Sequence, residues 1–559
     1  MNIKIFVRSS LLQILALTVC FATVGQAQLV ERPLITARHA VVTSDEPLAS
    51  MAGMRILQEG GNAFDAAVAT AVAVGVLDPR MSSIGGNGFA TIYVGKTREV
   101  RALNFYGSAP KRATVELYRG KEYSNGFLSA PVPSCLKGYE ALHKAYGKLP
   151  WAKVLEPAIE LAENGFVIRQ GLIDDMNQYQ KVLLQFPSTK KVFQLGGRWP
   201  VAGEVFRQPD LARTLRDIAQ HGADSFYRGP IAAHIAKFYH ANGGVLSEED
   251  LAAYQAKWVT PISTTYRGYT FYTQPPSSSG IAVLEQLNML EGYDLKSLGH
   301  NSPEYLHLIG EVMRLAIADR NRYVGDPDFV EVPVERLLSK SYAAERCKLI
   351  HLNSTIPIAT AGDFDQPGDR HTTHLSVIDG EDNMVALTQT LGDLWGSGVI
   401  TGDTGVFFSD EMRHLHLDPN DPSRLEPGKR SRSNQSPLIV LRDGKPFMTI
   451  GTPGSNGIWQ RIVQVMVNIV DFGMDVQTAI TAPRMIYGGR AETGTEFIPV
   501  FKIEDRIPEA TITALRAKGY EITIVKDDDG RVNGVMIDPA TGFRLGGADP
   551  REMGYALGW

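Results

Sequence analysis

The chain has 559 residues, of which 44% are hydrophobic and 21% charged, an ordinary composition for a globular protein. Its formal net charge of -5 provides neither a basic surface suited to nucleic acid nor a strongly acidic tail. The length allows a large hydrophobic core, in one domain or several. These properties exclude a nucleic-acid partner and select no particular activity.

The first residues predict an export signal. Lys4 and Arg8 give a positive start, residues 11–24 are an apolar run, and residues 25–27 (Gly-Gln-Ala) place small residues where a signal peptidase cuts. The alternative is a membrane anchor, but this run is short for a span and no later segment is long and apolar enough. We therefore expect residues 1–27 to be a cleaved signal peptide of a periplasmic or secreted protein, with no stable membrane anchor.

The mature chain would hold two cysteines, Cys135 and Cys347. A disulfide between them would suit an oxidising compartment, and the sequence leaves that pairing open. Neither cysteine has metal-site spacing, and the histidines at 371, 374, 414 and 416 form no HExxH motif. A GxSxG elbow and a Walker-type loop are likewise absent from the sequence. We expect no metal ion and no cofactor.

The N-terminal half of the chain is predicted to be mainly helical, with one hairpin. Residues 51–78 form two helices around a Gly-Gly-Asn break, and the second, from about Ala63, is apolar all round and therefore buried. The glycine turn at 82–88 leads into a strand whose partner is 98–110, which argues against a phosphate-binding loop. Residues 136–260 follow a helical period.

Strands become frequent in the second half of the chain. Residues 360–370 are rich in Gly, Pro and Asp and predict an exposed loop suited to proteolytic processing. The remaining predicted elements are strands in 260–276, a long helix in 303–327, a hairpin in 371–391, a second hairpin in 436–455 with an Asp-Gly turn at 443–444, a helix in 458–473, and a helix followed by a strand in 508–525.

The hairpin from 371 to 391 carries the most informative pattern. If its turn is centred on Glu381, Ile378 faces Met384 and Thr372 faces Thr390. Directly opposed residues hold their Cβ atoms about 5 Å apart, so two threonine hydroxyls would meet on one face. His374 and Ser376 would follow on that side of the strand.

This arrangement suits an N-terminal nucleophile. If Thr372 became the first residue of a chain, its α-amine, with a pKa around 8, would act as the general base for its own hydroxyl. Thr390 would hold that hydroxyl in position. The alternative is structural, because paired threonines across a hairpin are ordinary sheet chemistry.

A second candidate is the segment GTPGSNG, residues 451–457, between a predicted strand and a helix. Successive N–H groups of Gly454 and Ser455 would stabilise an oxyanion if they pointed at one spot. The alternative is a plain glycine turn.

Several stretches in matching order resemble the γ-glutamyltransferases, also called glutathione hydrolases, from about residue 34 to the C-terminus. The resemblance lies in GGNAFDAAVATAVAVGVLDP, SSIGGNGF, SAPVPSCLKGYEALHKAYGKLPW, QPDLARTLRDIAQHGADSFYRG, EVMRLAIADRNRYVGDPDFV, HTTHLSVID, NMVALTQTL, RSRSNQSP, GTPGS and GGADPRE. It implies an α+β fold, the four-layer αββα sandwich of the N-terminal-nucleophile hydrolases. It also implies autocleavage between His371 and Thr372, which would give a large subunit, 28–371, and a small catalytic subunit, 372–559, in one αββα unit.

The resemblance also assigns catalytic roles. Thr372 matches the family's nucleophile, and Thr390 matches the second threonine that supports it. Gly454 and Ser455 fall at the oxyanion-hole glycine pair, where Ser455 replaces the second glycine and keeps its backbone donor.

For the substrate, Ser433 matches a serine that contacts the α-carboxylate, and Asn434 replaces the serine that follows it. Glu411 matches the residue that contacts the α-amino group. These positions predict recognition of a γ-glutamyl compound such as glutathione.

Three substrate positions depart from the family's pattern. Tyr106 stands where the family has an arginine for the α-carboxylate, Gly392 where it has an asparagine, and His414 where it has an aspartate for the α-amino group. Loss of a buried arginine–carboxylate pair would weaken glutamyl binding unless it is replaced, and Arg432 is a candidate replacement as well as an ordinary solvated arginine. The segment 414–430 is short beside lid-bearing members, which predicts a site without a lid.

Three hypotheses follow. The first is an exported amidase of the γ-glutamyltransferase type, which cleaves γ-glutamyl amides by hydrolysis or by transfer to an amine. The second keeps the chemistry but takes an acyl group without the α-amino group, such as a glutaryl-type or small oxo-acid amide, and Gly392 and His414 favour it. The third is a non-catalytic binding protein on the same fold, against which Thr372 and Thr390 argue.

Overall fold

Two seven-stranded antiparallel sheets face each other in the computed structural model, which describes residues 32–194, 196–356, 372–491, 497–528 and 530–559. The predicted signal peptide, the predicted processing loop and His371 lie outside these residues. The described strands, in chain order, are β1 Ile35–Ala37, β2 Val41–Ser44, β3 Asn87–Val94, β4 Glu99–Phe105, β5 Phe166–Val167, β6 Val205–Phe206, β7 Lys257–Val259, β8 Ile262–Tyr266, β9 Tyr269–Thr273, β10 Thr373–Ile378, β11 Met384–Thr390, β12 Leu438–Arg442, β13 Lys445–Gly451, β14 Met485–Ala491, β15 Phe497–Glu504, β16 Ile522–Val525, β17 Asn533–Ile537, β18 Arg544–Ala548 and β19 Tyr555–Gly558.

Helices cover the outer faces of both sheets. The described α-helices are α1 Pro47–Gln58, α2 Ala63–Leu77, α3 Val115–Tyr118, α4 Cys135–Tyr146, α5 Trp151–Asn164, α6 Gln170–Gln178, α7 Gln180–Gln185, α8 Pro187–Phe193, α9 Pro209–His221, α10 Asp224–Tyr227, α11 Pro230–Ala241, α12 Glu248–Ala253, α13 Gly280–Leu290, α14 Leu295–Leu298, α15 Pro303–Tyr323, α16 Val334–Leu337, α17 Lys340–Cys347, α18 Ile458–Val470, α19 Val476–Thr481 and α20 Glu509–Ala517. Short 3₁₀ turns occur at Glu411–His414 and Ser455–Gly457.

The strand order of the first sheet is β19-β2-β10-β11-β3-β4-β7, and that of the second is β1-β18-β17-β13-β12-β9-β8. An apolar layer between the sheets includes Val41, Tyr93, Met384, Ile439 and Val535. Helices α1 and α2 pack against the first sheet and α13 and α18 against the second, while α5 packs on α2 and α15 on α13. This is the predicted four-layer αββα sandwich.

Helix α2 lies against β10 and β11, and all fifteen of its residues are buried, as its uniformly apolar sequence predicted. Its start is fixed by the Asn62 side chain, which accepts hydrogen bonds from the first-turn N–H groups in a capping box with Asp65. Asp379, in the turn between β10 and β11, accepts a further bond from Ala63 N at 2.9 Å. Helix α2 and the β10–β11 hairpin are therefore tied together at this turn.

The predicted register of the first hairpin and the predicted turn of the second are both confirmed. Ile378 pairs with Met384 in the first hairpin. In the second, β12 and β13 turn at Asp443 and Gly444, both in the left-handed region as a tight Asp-Gly turn requires. The sequence analysis did not predict the three-stranded sheet β14-β15-β16 or the C-terminal strands β17–β19.

Candidate active site

The two predicted threonines meet at the open end of the β10–β11 hairpin. Thr373 pairs with Gln389, which places Thr372 opposite Thr390, as predicted. The Thr372 hydroxyl donates to the Thr390 hydroxyl over 3.4 Å, and the two residues are only 5% and 3% exposed. Thr390 Oγ1 also accepts a bond from Gly392 N at 2.9 Å. One threonine hydroxyl is thus held by a second that is itself anchored to the backbone.

His374 lies on the same side of β10 and points between the two sheets. Its Nδ1 is 2.8 Å from Thr388 Oγ1 and its Nε2 is 3.0 Å from Ser376 Oγ. Complete burial lowers the pKa of His374 to about 3, so the ring is neutral at physiological pH. Its partners are hydroxyl groups, and within the described residues no set of histidines and acids is arranged to hold a metal ion.

Asp45 directly follows β2 and holds the start of the neighbouring strand β10 by a hydrogen bond. Its carboxylate accepts bonds from His374 N at 3.2 Å and from Asn533 Nδ2 at 2.6 Å. Burial raises the pKa of Asp45 to about 7, against the opposing effect of the nearby Arg531 guanidinium. Sequence reasoning did not single out this residue, which has no recognisable motif around it.

Gly392 brings the acidic pair Asp410 and Glu411 next to Thr390. A Cβ atom built on Gly392 would lie 1.9 Å from Asp410 Oδ1 and 3.4 Å from Glu411 Oε1, and the residue has a φ of +96°. A longer side chain therefore has neither the space nor the backbone conformation it needs here. Burial and the adjacent Glu411 carboxylate raise the pKa of Asp410 well above its usual range.

Glu411 is in contact with two of the other residues that the sequence predicted for substrate binding, His414 and Tyr106. It is 6% exposed and accepts a bond from Ser431 Oγ at 3.2 Å. His414 Nε2 lies 3.9 Å from Glu411 Oε2. The Tyr106 hydroxyl also interacts with Glu411 and with Ser433, and burial followed by the Glu411 charge raises the pKa of the Tyr106 phenol well above its usual range.

Ser433 is held by Ser277 and Ser279, in the segment that precedes α13, and Asn434 is held by an arginine. Ser433 N donates to Ser277 O at 2.9 Å, and its carbonyl accepts from Ser279 N and Ser279 Oγ. Arg320, which is buried on α15, donates to Asn434 Oδ1 at 2.5 Å. The backbone of Ser433 is therefore fixed, while the amide of Asn434 is bound by a guanidinium.

Arg432 is buried, with 7% exposure, and its Nη1 donates to Asn321 O at 3.2 Å. Of the two interpretations of this arginine, the solvated side chain is therefore wrong.

Cys135 and Cys347 are both free, so the disulfide that the sequence left open does not form. No helix within the described ranges is long and apolar enough to cross a membrane.

Strand β13, which leads into the glycine loop, packs against β10 from the facing sheet. Ser376 on β10 lies 3.4 Å from Thr449 on β13, measured between hydroxyl oxygens. A Cβ atom on Gly451 would lie 2.4 Å from the His374 ring, so the two backbones are in close contact. Thr372 precedes His374 by two residues and Pro453 follows Gly451 by two, so the same spacing, continued beyond the two strands, would bring the glycine loop towards Thr372.

Gly454 and Ser455 both have positive φ angles, of 109° and 50°. This conformation places two successive peptide units in a tight turn before α18. Within the described part of the chain, the N–H groups of Gly454 and Ser455 donate to no protein acceptor. Free, successive N–H groups are what an oxyanion-binding turn requires.

An αββα sandwich with a buried threonine pair at the end of a central hairpin has the architecture of the N-terminal-nucleophile hydrolases. The profile of the γ-glutamyltranspeptidase family matches residues 49–559. The chain therefore belongs to this family and is an enzyme of the γ-glutamyltransferase and glutathione hydrolase type.

Its relatives include enzymes named as glutathione hydrolases and enzymes named as acylases. The chain is 35% identical over 541 residues to the glutathione hydrolase proenzyme of Escherichia coli strain K12, covering 93% of this chain and 91% of the relative. It is 36% identical over 524 residues to the acylase ACY 1 proenzyme of Pseudomonas sp. strain SE83, covering 91% of each. The crystal structure of a cephalosporin acylase from Bacillus halodurans is similar with a TM-score of 0.85 and 34% identity, covering 96% of this chain and 99% of that one.

Proposed function

We propose that the protein is an exported, self-cleaving threonine amidohydrolase that forms an acyl-enzyme on Thr372. The observation that carries this proposal is the buried contact between the Thr372 and Thr390 hydroxyls at the end of the hairpin. The relatives named proenzymes support maturation by cleavage.

In the maturation step, the Thr372 hydroxyl attacks the carbonyl carbon of His371 and the peptide bond shifts to an ester. Water then hydrolyses the ester, which leaves a carboxylate on His371 and a free α-amine on Thr372. The products are a large chain ending at 371 and a small chain, 372–559. The proposed export signal at 1–27 would be removed separately, in the periplasm or outside the cell.

In the catalytic step, the α-amine of Thr372 accepts the proton of its own hydroxyl as the oxygen attacks the substrate amide. The N–H groups of Gly454 and Ser455 bind the oxyanion that forms, and the departing amine takes up the proton. The acyl group remains as an ester on Thr372 until water, or a second amine, releases it. The neutral His374 takes no part in these proton transfers.

For the acyl group, we propose γ-glutamyl amides such as glutathione. Glu411 supplies a carboxylate beside Thr390 and Gly392, where it would pair with the α-amino group of a glutamyl substrate. The fixed Ser433 would contact the α-carboxylate. The relatives named glutathione hydrolases agree with this assignment.

A second candidate is an acylase whose substrate lacks the α-amino group. Two observations favour it: the Tyr106 phenol already occupies a hydrogen-bonding position on Glu411, and no arginine stands at position 106. Such a pocket would suit a glutaryl-type acyl chain, and a cephalosporin acylase and the acylase ACY 1 proenzyme are among the relatives.

The maturation is tested by incubating purified protein, separating the chains on a denaturing gel and sequencing the smaller one from its N-terminus. We expect it to begin at Thr372, and the Thr372→Ala variant to stay uncut. A small chain that begins elsewhere would refute the mechanism. A wild-type protein that remains one uncut band would refute it and support a non-catalytic binding protein.

The acyl specificity is tested with γ-glutamyl-p-nitroanilide and glutaryl-p-nitroanilide, which differ only in the α-amino group. Faster release of nitroaniline from the glutamyl compound is expected, and Glu411→Gln should reduce that rate while sparing the glutaryl rate. Turnover of the glutaryl compound alone would assign the second function instead.

A further inference from the structure

Arg461 reaches back from the first turn of α18 to the loop before that helix. Its side chain is 3% exposed, and its Nη1 donates to Gly454 O at 2.9 Å and to Pro453 O at 3.3 Å. Its Nε donates to Asp528 Oδ2 at 2.9 Å, and its Nη2 donates to the main-chain carbonyl of Asp528. One guanidinium therefore links the glycine loop to a buried carboxylate.

The two bonded carbonyls belong to the peptide units that contain the free N–H groups. Pro453 O shares a planar peptide with Gly454 N–H, and Gly454 O shares one with Ser455 N–H. In a trans peptide the C=O and N–H bonds point in opposite directions. Because both carbonyls turn towards Arg461 Nη1, both N–H groups are turned away from it, to the opposite side of the loop.

The space around this guanidinium is shaped by glycines. Cβ atoms built on Gly454 and Gly457 would lie 2.3 Å and 2.4 Å from Arg461 Nη1, and one on Gly530 would lie 2.2 Å from its Nε. A side chain at any of these three glycines would therefore collide with the guanidinium unless the arginine moved. The loop and the arginine therefore fit each other as a unit.

Asp528 holds the other side of the guanidinium in place. Burial alone would raise its pKa, but the guanidinium groups of Arg484, Arg461 and Arg551 outweigh burial and hold the pKa of Asp528 well below its usual range. Arg484 adds bonds of 2.9 Å and 2.8 Å to the same carboxylate. Asp528 is thus a charged, fixed anchor that leaves Arg461 little freedom.

We propose that Arg461 is a positioning residue that aims the N–H groups of Gly454 and Ser455 at the oxyanion. This inference rests on the proposed function, because it needs those two groups to be the oxyanion donors. A guanidinium that only stabilised the fold would affect unfolding and leave the turnover of the folded enzyme unchanged.

Four variants separate the two roles. Arg461→Met removes the guanidinium bonds to both carbonyls and leaves those from Thr452 Oγ1 to Pro453 O and from Gly457 N to Gly454 O. Arg461→Lys keeps the positive charge but reaches fewer partners. Gly530→Ala leaves Arg461 in the chain but displaces its guanidinium. The matched control is Arg506→Met, since Arg506 also contacts a carboxylate, Glu504, and a main-chain carbonyl, that of Thr481 at 2.8 Å, away from the glycine loop.

Each variant is assayed for kcat and KM on whichever of the two p-nitroanilides the wild type hydrolyses, and for thermal unfolding. The rate at which phenylmethylsulfonyl fluoride modifies Thr372, followed by the intact mass of the small chain, gives a readout that needs no natural substrate. We expect Arg461→Met to lower kcat and the modification rate by about 10²-fold with little change in KM, as removal of one oxyanion donor does. Gly530→Ala should follow it, Arg461→Lys should lose less, and Arg506→Met should keep the wild-type rates.

Wild-type rates in folded Arg461→Met or Gly530→Ala would overturn the proposal, as would an equal loss in Arg506→Met. Should Arg461→Met fail to fold, Gly530→Ala and Arg461→Lys decide the question by the same measurements. If the wild-type small chain does not begin at Thr372 and is not modified there, the proposed function itself is wrong and the role of Arg461 falls with it.

Discussion

Replacing His374 with glutamine should make unfolding less sensitive to acid. The folded protein holds His374 with a pKa of about 3, whereas an unfolded chain gives it a pKa of 6.5. The folded pKa is the lower one, so the stability contributed by the neutral ring is fully present above about pH 6.5. It is lost as the pH falls from that value towards about 3.

The magnitude follows from the two pKa values. At pH 5 the unfolded histidine is 1.5 pH units below its own pKa and is mostly charged, while the buried ring is still neutral. At 1.36 kcal/mol per unit, this lowers the free energy of unfolding by about 2 kcal/mol relative to pH 7. Glutamine does not titrate, so this part of the acid sensitivity disappears with His374→Gln.

The assay is urea unfolding at pH 7 and at pH 5 in the Thr372→Ala background, in which the proposed cleavage would not occur and the protein would be a single chain. We expect the drop in unfolding free energy between these pH values to be smaller by about 2 kcal/mol in the glutamine variant. Asp45 titrates near His374 in both proteins, so its contribution subtracts out. His240→Gln is the control, since His240 is exposed on α11. Equal drops in parent and variant would refute the reasoning.

Thr390→Ala should still fold and cleave but hydrolyse p-nitroanilides about 10-fold to 100-fold more slowly, because the attacking hydroxyl loses its partner, and Thr390→Ser should recover most of the rate. A rate unchanged in Thr390→Ala would exclude this supporting role. Gly392→Ala should destabilise the protein by about 2–4 kcal/mol in chemical unfolding, because the new methyl group meets Asp410 at 1.9 Å in a left-handed backbone conformation. Thermal and chemical unfolding curves that match the wild type would show that the loop relaxes freely.

Local sequence patterns predicted much of this fold because, in these elements, the local preference and the tertiary packing favour the same structure. The fully apolar α2, the Asp443-Gly444 turn and the register of Ile378 against Met384 each follow from residues close together in the chain. The resemblance to a family added the order of the layers, which no short-range pattern contains.

The parts that escaped prediction depend on contacts across long stretches of chain. Asp45 reaches His374 and Asn533 over 329 and 488 residues, and Arg461 meets Asp528 over 67. A lone Asp or Arg gives no periodic signal, so neither could be selected from sequence. The strands β17–β19 are short and contain several glycines, so the alternation of apolar and polar residues that identifies a strand is not visible in them.

A cut before Thr372 would leave two chains that share both sheets. In the first sheet, β2 from the large chain lies between β19 and β10 of the small chain, and in the second, β9 of the large chain pairs with β12 of the small one. The fragments would be interleaved by main-chain hydrogen bonds rather than docked surface to surface. Separating the two chains would therefore mean breaking ladder hydrogen bonds in both sheets, and not only side-chain contacts.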